Sequence, residues 1–304
     1  MQKKLEENPN FTGYLFAILA TAIWSGNFVI ARGLSNDISP ISLAFWRWVV
    51  ATSVFFPLAI KPLIKQRKEI AQNLPYLAIT GFLGVTTFNT MLYYAGKTTT
   101  AINLSLLSIT FPIFIILISR IVFKEFISWK KTLGILMVAF GVIFMITKGQ
   151  LSALLNLTFQ VGDIWMVGGA LVFAIYSILL RKKPAELNIW SFQLSTFILG
   201  LLFLTPIYAW DYFQSPTVVY TTTTYLSIGY VGIFASLAAF VLWNKSILNI
   251  GPSEAGMVYY TLPIFSGALA YFILDEPIGL IHIMSAGLIF SGILIANAKK
   301  KKKA

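Results

Sequence analysis

LPIFSGALAYFILDEPI, residues 262–278, has a counterpart earlier in the chain: residues 111–127 read FPIFIILISRIVFKEFI. Pro112, Ile113, Phe114 and Glu125 answer Pro263, Ile264, Phe265 and Glu276 at a shift of 151 residues, and Phe140-Gly141-Val142 answers Ser291-Gly292-Ile293 at the same shift. Upstream the shift is 149. It pairs Gly13 with Gly162, Trp24 with Phe173, Asn27 with Tyr176, Arg32 with Arg181, and Tyr76-Leu77 with Tyr225-Leu226. A period of half the chain length means two copies of one structural unit.

Composition sets the class of that unit. Of 304 residues, 57% are hydrophobic and 11% charged, against about 25% charged in soluble domains. Such a chain cannot cover a water-facing surface. No cysteine is present, which excludes disulfides, thiolate metal sites and cysteine nucleophiles. The net charge of +12 sits in short clusters between apolar runs, the distribution of a membrane protein and not of a nucleic-acid binder.

Ten apolar runs approach the roughly 20 residues that cross a bilayer as a helix. They lie near 11–33, 40–60, 74–95, 98–119, 130–147, 161–180, 188–210, 221–244, 252–273 and 280–297. The expected fold is therefore all-α and integral to the membrane, one domain over 1–304, with repeat one near 11–147 and repeat two near 161–297. The first run continues past the small residues Ala20-Thr21-Ala22 and has a partner in the sixth run, so it reads as a span and not as a cleaved leader.

Lysine and arginine orient the chain. With both termini cytoplasmic, inside segments collect nineteen of the 23 Lys and Arg, including Lys61 to Lys68, Arg120 to Lys131, Arg181 to Lys183 and the tail Lys299 to Lys303. Outside segments hold three, Arg32, Lys97 and Lys148, and Arg47 falls within a span. This is a positive-inside pattern. Five spans per unit then send the second copy in from the opposite side. The repeats are expected to be inverted, the arrangement that gives secondary transporters alternating access.

At these residues the chain resembles the ten-span EamA-type branch of the drug/metabolite transporter superfamily. The resemblance rests on Gly13, Trp24-Ser25-Gly26-Asn27, Arg32 and Arg47, on Pro112…Glu125…Gly134…Gly141, and on its echo Pro263…Glu276…Gly292. Ser285 stands where Gly134 is answered, and Gln193 stands near the place of Arg47. The resemblance implies a carrier of the plasma membrane or bacterial inner membrane, often an exporter of amino acids or other small metabolites.

The candidate substrate-binding residues are polar and aromatic groups at helical spacing inside the runs. They are Trp24 and Asn27; Arg47; Thr86, Asn89 and Tyr93; Asn103 and Ser105; Tyr176; Gln193; Phe240, Trp243 and Asn244; and Tyr259 and Tyr260. Ser236, Phe240 and Asn244 form an i, i+4, i+8 row. Amides within a bilayer turn toward a cavity or another helix. Arg47 has two readings: an inward anchor for a substrate carboxylate, or a side chain reaching the outer headgroups beside Trp46 and Trp48 as interfacial anchors.

Other features read as structural. Pro112 and Pro263 are expected to kink the fourth and ninth helices in mid-span. Glu125 and Glu276 are expected to cap the helices that follow them. His282 reads as a polar edge residue, and Gly287 with Ser291 as a close-packing face. The lysine tail suits either anionic lipid or water.

Neither a GxxxxGK[ST] loop nor an HExxH pair occurs, so nothing calls for ATP, a metal or another cofactor. No acidic residue falls clearly at mid-membrane, which favours a facilitator or exchanger over a proton antiporter. The expected function is secondary transport of small metabolites, foremost amino acids or related carboxylates. The expected partners are that small-molecule substrate and the lipid bilayer, with no nucleic acid. The sequence fixes no oligomeric state and is compatible with a monomer. The alternative is a membrane enzyme acting on lipid or isoprenoid substrates, for which Asp275-Glu276 is the one acidic pair, broken in its copy Lys124-Glu125.

Overall fold

The computed structural model describes residues 9–34, 36–99, 104, 107, 108, 110–147, 149–156, 160–214, 218, 219, 221–274 and 279–297. All regular structure among them is helical. In chain order the helices are α1 (Pro9–Gly33), α2 (Pro40–Lys65), α3 (Arg67–Gln72), α4 (Leu74–Gly81), α5 (Phe88–Thr98), α6 (Thr110–Phe123) and α7 (Trp129–Ile146). The second half supplies α8 (Val161–Arg181), α9 (Ile189–Gln214), α10 (Thr222–Tyr230), α11 (Ala239–Ile250), α12 (Pro252–Tyr259), α13 (Leu262–Leu274) and α14 (Leu280–Asn297).

Helix starts follow local chemistry. Ser39 accepts from the Ser42 amide (3.0 Å) ahead of Pro40, and Ser128 from Lys131 (3.2 Å). Thr221 accepts from Thr224 (3.1 Å), and Gln160 with Asp163 closes a reciprocal capping box on α8. Each satisfies amide donors that the first helical turn leaves free. Gly251 sits at φ +87 between α11 and α12, a turn that a side chain would strain.

Among the described residues, five helical stretches are long and apolar enough to cross a bilayer: Phe11–Phe28, Pro40–Lys65, Val161–Arg181, Ile189–Gln214 and Thr222–Ile250. Thr110–Phe123 and Leu280–Ala296 are shorter apolar helices. Of the fourth expected run, Leu104, Leu107 and Thr110–Phe123 are helical among the described residues, with a turn at Ser108. The ninth run is two helices, interrupted at Tyr260-Thr261. That placement corrects the expected proline kinks. Pro263 is the second residue of α13 and Pro112 the third of α6, in first turns where no amide bond is lost.

Two wide turns interrupt otherwise continuous helices. Residues Phe82–Thr87 join α4 to α5 in π geometry, and Val231–Ala238 join α10 to α11 in the same way. Val231 is the residue that answers Phe82 at the 149 shift, so both repeats carry the wide turn at one place. Such turns are uncommon and concentrate at functional sites.

The main helix pairings recur when the halves are exchanged. α1 packs on α11 as α8 packs on α5; α6 packs on α8 as α13 packs on α1; α2 packs on α9 and α7 on α14. Gly13 and Gly162 show the same exchange at atomic scale. A Cβ on Gly13 would lie 3.0 Å from Asn249 Cβ at the end of α11, and one on Gly162 would lie 2.7 Å from the Thr99 amide after α5.

The α7–α14 pair forms its own apolar cluster, in which Val138, Val142 and Ile289 are fully buried. Its backbones meet at glycine: a Cβ on Gly292 would sit 2.7 Å from the Gly134 carbonyl oxygen, and one on Gly141 would sit 3.2 Å from that of Ser285. Small residues permit this approach between membrane helices. Gly287 is exposed with open space around it, and Ser291 is exposed. The packing face of α14 is therefore Ser285, Ile289, Gly292 and Ala296, which corrects the expected Gly287–Ser291 face.

Glu125 does not cap α7, where Ser128 holds that place. Instead its carboxylate pairs with Arg181 at the end of α8 and accepts from Ser253 Oγ (2.6 Å) at the start of α12. A negative charge suits the N-terminus of α12, and the Arg181 cation suits the C-terminus of α8. Arg181 also lies over the Phe123 ring at 4.4 Å. Glu276, Asp275 and the lysine tail lie outside the described residues, as does the Arg32 side chain.

Candidate substrate site

Arg47 is the organising residue. It is fully buried, with no exposed surface. Its Nε donates to Ser236 Oγ (2.5 Å), and its Nη1 donates to Asn89 Oδ1 (2.7 Å), Tyr93 Oη (2.5 Å) and, more distantly, Asn27 Oδ1 (3.4 Å). Tyr93 in turn donates to Asn27 Oδ1 (3.0 Å). The guanidinium also lies 5.5 Å from the ring centres of both Trp48 and Tyr93. Of the two sequence readings, this geometry is the inward one. Trp48 is fully buried against Phe197 and Phe240, not at the protein surface.

Every partner of Arg47 is neutral, and its Nη2 has no partner. A buried cation without a counter-ion costs several kcal/mol, and a buried donor without an acceptor costs about 1–3 kcal/mol. The cluster thus leaves one positive charge and one donor uncompensated.

Two of its acceptors tie the guanidinium to the wide turns. Asn89 Nδ2 donates to the Gly84 carbonyl (3.2 Å), and Ser236 Oγ to the Val231 carbonyl (2.7 Å), each reaching five residues back. Trp24 Nε1 adds a bond to the Ala235 carbonyl (2.9 Å). Arg47 is therefore held between one π segment from each half.

A second polar cluster lies in the other half. Tyr176 Oη donates to Asn244 Oδ1 (3.0 Å), and Asn244 Nδ2 donates to Gln193 Oε1. Gln193 Nε2 is buried and has no partner. Trp243 Nε1 donates to Ser177 Oγ (3.1 Å) beside it.

Rings fill the space between the clusters. Trp24 meets Phe173 (5.4 Å between centroids), Phe240 (5.7 Å), Trp243 (5.3 Å) and Tyr259 (6.2 Å). Phe111 closes on Tyr259 at 4.5 Å. In this conformation the candidate residues pack on one another and are closed off from solvent.

The structure gathers Trp24, Asn27, Arg47, Asn89, Tyr93, Tyr176, Gln193, Phe240, Trp243, Asn244 and Tyr259 into this assembly. Thr86 stands apart in role, bonding the Gly200 carbonyl (2.7 Å) and fastening its segment to α9. Tyr260 packs in the separate cluster with Ile116, Val138 and Met257. Asn103 and Ser105 lie outside the described residues. Ser236, Trp48, Phe173, Ser177 and Phe111 are additions. Ser236 was legible as the head of the Phe240–Asn244 row and Phe173 as the counterpart of Trp24; Trp48 had been read as an interfacial anchor, and Ser177 and Phe111 look like ordinary apolar-run residues.

His282 lies away from this assembly. Its Nδ1 accepts from the Gly279 amide (3.0 Å), and it edges an apolar cavity of about 190 Å³ with Met145, Pro263, Ile264, Ala268 and Ile283.

The chain matches the EamA-like transporter family twice, over residues 11–147 and 160–298. It is 25% identical to an uncharacterized transporter of Archaeoglobus fulgidus over 96% of this chain and 99% of that one. It is 24% identical to the uncharacterized transporter YyaM of Bacillus subtilis, covering 92% of each. A probable terminal-alkyne amino-acid exporter of Streptantibioticus cattleyicolor is 23% identical over 93% of this chain and 92% of its own length. One solved crystal structure superposes with a TM-score of 0.75 at 17% identity, covering 95% of this chain and 97% of the other, a likeness of fold.

Proposed function

The chain belongs to the EamA-like transporter family and is a transporter, not an enzyme; from that premise we propose that it carries small metabolites bearing a carboxylate, amino acids foremost. The observation that carries this reading is Arg47, a buried guanidinium with neutral partners and an unsatisfied Nη2. A carboxylate would supply the missing charge and accept two parallel bonds from the fork. An ammonium on the same ligand would find the faces of Trp24 and Trp243. The amino-acid exporter among the relatives points the same way.

The path is proposed to cross ten spans arranged as inverted repeats, with both termini cytoplasmic in the cell's inner or plasma membrane, and to work by alternating access as an exporter or facilitator. The exchange symmetry of the helix pairings supports inversion, and the clustering of basic residues supports the orientation. Placed so, the Glu125–Arg181–Ser253 contact fastens the cytoplasmic side.

Efflux of carbon-14 amino acids from proteoliposomes tests the reading. Arg47→Lys keeps the charge and loses the fork, so it is expected to slow efflux less than Arg47→Gln, which removes the charge. Losing charged hydrogen bonds of about 1.5–3 kcal/mol each corresponds to roughly 10- to 100-fold. Wild-type efflux in both variants, at normal membrane levels, would defeat the carboxylate assignment.

A further inference from the structure

Three unsatisfied buried groups at the two clusters share a polarity, whereas Trp46 Nε1, a donor beside Tyr208, and Glu69 Oε2, an acceptor on α3, lie elsewhere. Arg47 Nη2, Trp48 Nε1 and Gln193 Nε2 are all donors, and each lacks an acceptor. Unpartnered Ser and Thr hydroxyls elsewhere in the interior can donate or accept, so they select no ligand group. These three can only give a hydrogen bond.

They are also arranged in order. Trp48 follows Arg47 in α2, and its ring packs on Phe197 (4.8 Å) and Phe240 (5.1 Å). Phe197 stands one helical turn beyond Gln193 on α9, which places Gln193 on the same face. Phe240 stands between Ser236, an Arg47 partner, and Asn244, a Gln193 partner. The indole therefore lies between the two polar clusters. Ser236 and Asn244 are eight residues apart, about 12 Å along a helix. One carboxylate cannot occupy both clusters at once.

The second cluster has a direction of its own. Tyr176 gives to Asn244, Asn244 gives to Gln193, and the free end of the chain is the Gln193 Nε2 donor. Both clusters therefore end on a donor awaiting the same kind of group, one charged and one neutral. We propose that Tyr176, Gln193 and Asn244 form a second, uncharged station for the ligand carboxylate, and that the carboxylate passes between Gln193 and Arg47 along the Trp48 N–H. Phe240 and Trp24 fill the track when it is empty. The inference rests on the carboxylate reading and adds that binding and passage depend on different residues.

The full-length protein in lipid nanodiscs and proteoliposomes separates the two claims, with a carbon-14 L-amino-acid mixture as the probe. Gln193→Met keeps length and loses the donor. It is expected to hold equilibrium binding within about threefold while efflux falls at least about tenfold. Trp48→Phe keeps an aromatic ring against Phe197 and Phe240 but removes the N–H with part of the indole, so efflux should fall by at least about threefold with binding unchanged. Gln193→Glu places an anion at the station and should block efflux more completely than Gln193→Met. Wild-type efflux in Gln193→Met and Trp48→Phe would make the second cluster mere packing. Binding and efflux falling together in those variants would mean a single cavity, leaving the Arg47 reading intact. A wild-type protein that neither binds nor carries any amino acid would remove the carboxylate reading itself, and this inference with it.

Discussion

The clusters around Arg47 and around Gln193 occupy corresponding places in the two halves, and their surroundings correspond closely. Each draws on a π-bearing helix or its continuation, each is flanked by a tryptophan whose indole is bonded, and each ends on an unsatisfied donor. They differ in one respect: the first holds a full charge among four neutral acceptors, the second holds three neutral groups in a line. A duplicated scaffold therefore presents two polar environments of unequal strength. The charged one is also wired to both wide turns, so occupying it bears on the backbone of both halves; the neutral one is wired only to side chains.

That contrast breaks most readily at the matched amides. Asn89→Ala strips an acceptor from Arg47 and a donor from the Gly84 carbonyl. Proteoliposome efflux is expected to fall roughly 10- to 100-fold. Asn244→Ala unpairs only Tyr176 and Gln193, so its loss should be about tenfold smaller. Equal losses in the two variants would mean that the charge makes no difference.

A smaller effect is expected at the matched indoles, read as thermal stability. Trp24→Phe leaves the Ala235 carbonyl without the bond it receives inside a π segment, costing about 1 kcal/mol and a few degrees in Tm. Trp243→Phe leaves the Ser177 hydroxyl, which can turn to another acceptor, so its Tm should drop less. The reverse order would place the strain in the second half.

No effect at all is expected from a proton gradient. Among the described residues, neither cluster contains Asp, Glu or His. Efflux measured with a clamped pH gradient of either sign should match that with none. A dependence on the gradient would require a titrating group in the path and would recast the neutral station as something else.

Much of this arrangement could be read from the chain. The repeated Pro…Glu stretch, the apolar runs and the polar rows at three- and four-residue spacing all follow from helix periodicity and the cost of buried amides. What could not be read depends on which face of a helix looks inward. Trp46 and Trp48 are two residues apart, hence on nearly opposite faces, and only one of them is at the core. The π segments leave no composition trace beyond Gly84 and Gly232, which sit against Tyr176 and Val50. Glu125 looks like a cap because Ser128, three residues on, is a better one; its true partners, Arg181 and Ser253, are distant in sequence. The break at Tyr260-Thr261 was hidden because Pro263 can start a helix as readily as it can bend one.

The α7–α14 seam says something about ancestry. Exchange the halves at the 151 shift and Gly134 against Gly292 becomes Ser285 against Gly141, a contact that is also present. A seam that maps onto itself in this way is what two identical subunits share across a two-fold axis. Each half thus carries the complement of its own last helix. A gene encoding one half alone would have made a product able to pair with a second copy, provided both orientations entered the membrane. Within one chain the two copies need not be alike, and the charge present at Arg47 but absent at Gln193 is a difference of that kind.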